Sequence, residues 1–204
     1  MTPRRLSLPL TEADAASLSL GEMVLLDGPM VCTAGIPTHH RILETIDAGR
    51  DLPIDMTGGA FFHLGSYSRE TDDGLEVLYM NPTTSTRFNA LMPRIIRHLG
   101  LRCVGGKGGL DSGCAAALRD VGGVYLSFLG GGAPLHSEAI RRILRVEWND
   151  MISHYRLVQM EVAAMGPLTV AIDARGRSLY DDLTEKARDR REAILNTMRA
   201  ERDG

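Results

Sequence analysis

Three times in the middle of this chain an apolar strand runs into a short polar or glycine-rich turn and then into a helix, and that repeated junction limits the folds open to it. The first junction is Tyr79–Arg87, Tyr-Met-Asn-Pro-Thr-Thr-Ser-Thr-Arg. Leu75, Val77, Leu78 and Tyr79 read as its strand, and Thr83 to Ser85 are residue types that cap helix N-termini. The spacing of Leu91, Ile95, Ile96 and Leu99 predicts the helix. Such a junction aims unsatisfied backbone N–H groups and the positive end of a helix dipole at one spot, which favours an anion. Arg87, in the first turn of that predicted helix, adds a planar fork suited to a carboxylate or phosphate. The same residues also suit a capped helix carrying a solvated arginine.

The second junction runs from Leu101-Arg-Cys-Val104 through Gly105-Gly-Lys-Gly-Gly109 to a helix opened by Asp111-Ser112. Four glycines let backbone approach a ligand closely, and Lys107 projects a compact charge from among them. The run is not a P-loop, because glycine follows Lys107 where that motif needs Ser or Thr. The third junction, Tyr125–Leu129 into Gly130-Gly-Gly-Ala-Pro134, has the same shape without a charge, and it predicts a helix over Ser137–Leu144.

The rest of the chain reads as a mixture. Residues 1–19 form a polar lead-in, followed by two strands around a turn at Asp27-Gly28-Pro29. A helix beginning near Thr38 carries His39, His40 and Arg41 in its first turn and stops at Gly49. Gly59–Gly65 reads as a buried strand, and Ser66–Gly74 as a polar loop from which Arg69 could reach a neighbouring pocket. Tyr155–Met165 and Leu168–Asp173 read as strands, and residues 180–204 as a charged helix. Strands outnumber a simple βαβ repeat, so the expectation is an α/β fold with a mixed sheet or sandwich and helices packed outside.

At 204 residues and 44% hydrophobic content, one sizeable core and a single domain over 1–204 are expected. A formal net charge of −3 carries no basic footprint for nucleic acid. No apolar run has the length of a membrane span, and the start lacks the apolar stretch of a secretory signal, so the expected location is cytoplasmic. Cys32, Cys103 and Cys114 show no ligand-like spacing and are expected to be reduced and buried.

Thr38-His-His-Arg41, Phe62-His-Leu-Gly65, Pro82-Thr-Thr-Ser-Thr-Arg87, Val104-Gly-Gly-Lys-Gly-Gly109 and Gly166-Pro-Leu-Thr-Val-Ala-Ile-Asp173 follow one another along the chain. Together they resemble the β subunit, or C-terminal half, of class I iron–sulfur fumarases and L-tartrate dehydratases, over roughly residues 6–190. The resemblance implies a swivelling β/β/α domain. It also implies a partner α subunit holding a 4Fe–4S cluster, a hetero-oligomer or homodimer, and reversible hydration of a small dicarboxylate, fumarate/malate first and tartrate next. By the same resemblance Thr83 matches the proton-abstracting hydroxyl, Arg87 a carboxylate-binding arginine, Lys107 a substrate-binding lysine and His39 the histidine of a His-x-Arg segment. Arg69 falls where a further substrate arginine is expected. The family pattern reads Gly-Pro-Thr-Thr, and Asn81 stands here in place of that glycine.

The residues alone agree with a dicarboxylate, since Arg87 and Lys107 offer a cation for each end. A threonine hydroxyl is a poor base near neutral pH, so Thr83 either is activated by nearby cations or only orients the substrate. For His39 a structural hydrogen bond is the competing role, and His63 and His136 are read as structural. A non-catalytic module binding a small anion or phosphate through the same junctions is the alternative function.

Overall fold

The computed structural model describes residues 2–72 and 74–203. Its centre is a sheet that closes on itself. Strand β2 (Met23–Cys32) pairs in parallel with β3 (Ala60–Phe62), β3 with β6 (Cys103–Gly106), and β6 with β7 (Val124–Ser127). The long strand β9 (Leu157–Ile172) then runs antiparallel to both β7 and β2, completing a barrel-like ring of five strands. β1 (Arg4–Ser7) joins β2 in parallel at one margin, and β8 (Ile140–Glu147) joins β9 antiparallel at another.

Alternation along these strands divides the core in two. Cys32, Phe62, Cys103, Leu126 and Met160 belong to one buried cluster inside the ring. Phe61, Val104 and Tyr125, their neighbours in sequence, belong to a second cluster outside it. That outer layer is covered by α2 (Ile36–Asp47), α3 (Met92–Leu99) and α4 (Ser112–Val121), which supply Ile42, Ile95, Ile96 and Leu118. Burying one such side chain stabilises the fold by about 1.5–3 kcal/mol. Helices outside a mixed sheet are what the strand count predicts. Closure of the sheet is the added feature, and β9, long enough to serve two neighbours, produces it.

Several elements differ from the sequence expectation. The lead-in is not featureless: it forms β1 and α1 (Glu12–Ser17), whose Thr11 and Asp14 make a reciprocal capping box, and Leu6, Leu8 and Leu10 enter the inner core. The turn expected at Asp27–Pro29 is a register shift within a continuous β2. Gly28, at φ +112°, absorbs it, and a Cβ there would lie 2.8 Å from the carbonyl oxygen of Leu8. The two strands expected at 155–165 and 168–173 are likewise one strand, bent at Gly166 with φ +145°.

The loop expected at Ser66–Gly74 is instead one arm of an antiparallel hairpin, β4 (Leu64–Thr71) with β5 (Gly74–Pro82); Asp73 lies outside the described residues. Polar composition misleads there because only the base of the hairpin, with Leu64, Ser66 and Met80, is buried, while Tyr67, Arg69, Leu75 and Tyr79 are exposed. The helix expected over Ser137–Leu144 splits into a short α5 (Ala133–Glu138) and strand β8. Ile140, Ile143 and Val146 pack on the core while Arg142 pairs with Glu161 on β9, so cross-strand pairing overrides helical spacing. The tail from Leu179 is helical as expected, as α6 (Leu179–Asp203). Among the described residues no helix is long and apolar enough to cross a membrane.

Candidate functional site

The parallel strands β3, β6 and β7 end on the same edge of the sheet, the edge where open parallel sheets gather ligands. All three junctions discharge there, and the backbone ties two of them together. The Thr83 carbonyl accepts the N–H of Lys107 at 3.0 Å, and the Lys107 carbonyl accepts the N–H of Ser85 at 2.8 Å. Thr84 and Lys107 thereby form a one-pair parallel bridge beyond the ends of their strands. On the other side the Thr83 N–H donates to the carbonyl of His63, the residue after β3, at 2.8 Å. Thr83 and Lys107 are both half-buried.

Glycines make this approach possible. A Cβ on Gly106 would lie 2.2 Å from the Ser85 hydroxyl oxygen and 3.0 Å from the His63 Cβ. Gly109, at φ +83°, lies under the ring of Tyr180 from the first turn of α6. The aliphatic stem of Lys107 runs beside Gly130, since a Cβ there would be 3.8 Å from its Cδ. The third junction, uncharged in sequence, thus walls the lysine.

Arg87 does not sit inside a long helix that follows Thr83. Residues Ser85–Phe88 form a 3-10 turn, and α3 begins only at Met92. Thr84, at the cap position of the 3-10 turn, makes no side-chain cap bond. The expected capped α-helix is therefore replaced by a tighter turn, which leaves Arg87 exposed at the rim.

His39 lies beneath the turn. It is fully buried and stacks on Phe88 with ring centroids 4.0 Å apart. Its Nδ1 lies 2.6 Å from the Gly35 carbonyl, so Nδ1–H donates and Nε2 is an unprotonated acceptor, with no partner among the described residues. Burial pulls its pKa down to about 4. Arg69 is on the β4 arm, where Glu76 across the ladder holds its guanidinium at 2.7 Å. The structure therefore ties Thr83 to Lys107 through the backbone and leaves Arg87 exposed on the 3-10 turn that follows, while His39 stacks beneath that turn and Arg69 is held by Glu76.

Sequence reads Ser85 as a cap residue and His63 as structural but does not connect them. Ser85, His63 and Tyr125 form a buried polar chain, with Tyr125 O–H donating to Ser85 Oγ at 2.8 Å and Ser85 Oγ 2.8 Å from His63 Nδ1. Burial holds the His63 pKa well below the ordinary histidine value. Only the serine between two recognisable threonines hinted at it.

The three cysteines do not suit the thiolate set of a 4Fe–4S cluster. All are free and buried, Cys32 and Cys103 in the inner core and Cys114 in the outer one. Burial pushes the Cys32 thiol up to about 12 and the other two up as well. Among the described residues no group of three or more His, Cys, Asp or Glu side chains is arranged to hold a metal ion. A cleft of about 410 Å³ near the ends of α2 and α3, with Arg50, Asp55 and His98 in its wall, includes none of the junction residues.

The family profile described as "Fumarase C-terminus" matches residues 3–183. A Methanocaldococcus jannaschii protein provisionally named L(+)-tartrate dehydratase subunit beta is 31% identical over 178 residues, covering 87% of this chain and 91% of that protein. The L(+)-tartrate dehydratase subunit beta of Escherichia coli is 28% identical over 193 residues, 95% of this chain and 94% of its own length. A Geobacillus stearothermophilus protein provisionally named class I fumarate hydratase is 28% identical over 183 residues, and there the match covers 89% of this chain but 34% of the relative. By the profile and by relatives matched over nearly their whole length, this chain belongs to the fumarase C-terminus family, among the class I fumarate hydratase and L-tartrate dehydratase β subunits.

Proposed function

We propose that this chain is the β subunit of an iron–sulfur hydro-lyase that reversibly adds or removes water on a small dicarboxylate, with L-tartrate and fumarate/malate as the substrates to test first. The family resemblance names fumarate/malate first and its motifs do not separate the two, whereas the relatives matched along nine-tenths of their length carry the tartrate name. The observation that carries the reading is the backbone pairing of Thr83 and Ser85 with Lys107, which brings two motif residues from separate junctions together at the edge where the parallel strands end.

Lys107 and Arg87 would each take a carboxylate, Arg87 in two-point fashion. Lys107, whose backbone is hydrogen-bonded to that of Thr83, is the cation that would lower the cost of a negative oxygen there. That is the activation a threonine needs before it can take a proton next to a carboxylate. The half-burial of both residues strengthens this effect by keeping water partly out. In this reading His39 acts through Phe88 to hold the 3-10 turn, and Arg69 would touch substrate only after leaving Glu76. A partner α subunit would hold the 4Fe–4S cluster, consistent with the dispersed, buried cysteines here, and would supply Lewis-acid iron for the hydroxyl.

The test is anaerobic co-expression with an α-type subunit, followed by turnover assays with L-tartrate, malate and fumarate. Turnover of one of them by the complex is the expected result, and inactivity of a cluster-loaded complex toward all three would refute the assignment.

A further inference from the structure

The buried hydroxyl of Ser85 joins parts of the chain that are otherwise separate. It receives the O–H of Tyr125 from β7 and lies within bonding distance of His63, which follows β3. It packs against the bare α-carbon of Gly106 at the end of β6. Because Tyr125 donates, the Ser85 proton is left for His63 Nδ1. His63 is then neutral, with its proton on Nε2 facing the sulfur of Met92 at 3.3 Å. Every hydrogen-bonding site in the chain of three is directed, so the hydroxyl has one orientation. The same residue's backbone N–H is the one that Lys107 accepts, and Thr83 stands two residues before it.

We propose that Ser85 is a positioning residue of this site: through Tyr125 and His63 it fixes the backbone register of the Thr83–Ser85 segment against Lys107. This rests on the reading of Thr83 and Lys107 as the reacting floor. A helix cap cannot do this work, because neither the 3-10 turn nor α3 has a side-chain cap bond. The Thr83–Ser85 segment is therefore held by its backbone bonds to His63 and Lys107 together with this one hydroxyl. Loosening the hydroxyl lets the Thr83–Ser85 backbone shift against Lys107, which lowers the rate of the chemical step more than it weakens substrate binding.

The experiment compares wild type, Ser85→Ala, Tyr125→Phe, the double variant and Leu118→Ala, a core variant away from the site. Each is assayed in the complete enzyme for kcat and KM, and as the single chain by hydrogen exchange at the amides of residues 85 and 107. Ser85→Ala is expected to lower kcat about tenfold with KM changed less, and to speed exchange at both amides. Tyr125→Phe should move both readouts the same way, and the double variant should be less than additive. Leu118→Ala should lower thermal stability and leave kcat and KM unchanged. Wild-type kcat and exchange in Ser85→Ala would overturn the proposal. So would equal kcat losses in Ser85→Ala and Leu118→Ala, which mark a merely structural role. If the wild-type complex turns over none of the dicarboxylates, the functional reading fails instead, and the exchange measurement still decides whether Ser85 sets the register.

Discussion

Lys107 donates its backbone N–H to Thr83 and accepts that of Ser85, so residues from two separate strand–turn–helix junctions are locked into one short ladder. Residues joined through their backbones are more closely fixed to one another than residues that meet only at the tips of flexible side chains. Consequences for variants follow from that ladder and from what packs beneath it.

Lys107→Met should weaken a competitive dicarboxylate inhibitor about tenfold in the assembled enzyme, the loss of one charge-assisted contact. Thermal stability should hardly move, because the backbone bonds to Thr83 and Ser85 do not need the ammonium. Calorimetric titration checks the first point, and unchanged affinity would remove Lys107 from the ligand.

Arg87→Lys should lower kcat/KM by about tenfold, since an ammonium cannot reproduce the two-point fork on a carboxylate. Arg87 is exposed on its 3-10 turn, so the unfolding midpoint should stay near that of the wild type. Steady-state kinetics identical to wild type would make it a solvated surface arginine.

Gly106→Ala and Gly130→Ala should behave oppositely although both glycines flank Lys107. At Gly106 a new Cβ would collide with the Ser85 hydroxyl oxygen and the His63 Cβ. Relief requires moving the buried chain, at about 1–3 kcal/mol of stability. At Gly130 the nearest atom is the Lys107 Cδ at 3.8 Å, ordinary contact distance. Denaturant titration of the two variants separates the cases, and equal midpoints would contradict the packing described.

The strand–turn–helix junctions were legible because each carries local signals, namely an apolar run, cap or glycine residues, and helical spacing. Asp111 shows this well: it caps α4 by accepting the Cys114 N–H, as its place before Ser112 suggested. What sequence could not supply was pairing over distance. Nothing local in Leu157–Ile172 says that the strand lies along β2 from Val158 to Thr169 and along β7 only at its end, from Thr169 to Ile172. Arg142 and Arg145 gave β8 a polar face that suits a helix as well as a strand, and the decision came from Met160 and Val158 across the ladder. The same limit applied at the site. Thr83, Arg87 and Lys107 could be named from motifs, whereas Ser85 and Tyr125 have meaning only once β7 lies beside the turn.

The buried histidines predict how stability depends on pH. His39 is held neutral with a pKa of about 4, and His63 is also lowered well below its ordinary value, in both cases first by burial. The unfolded chain binds protons at these histidines from about pH 6.5 downward, whereas the folded chain does not until much lower. Unfolded forms therefore hold more protons in that window, and stability falls as pH falls through it. For His39 the window runs from about 6.5 to 4, which corresponds to roughly 3 kcal/mol if the whole shift is realised. Carboxylates such as Asp27 and Asp120, whose pKa values Arg5 and Arg97 hold down, lose their contribution only below their ordinary range, at lower pH than the histidine window. Denaturant unfolding at pH 7 and pH 5 isolates the histidine effect. His39→Phe, which keeps a ring to stack on Phe88 but cannot be protonated, should lose clearly less stability than wild type between those two values. An equal loss in both proteins would mean that His39 is not the group whose protonation opens the fold.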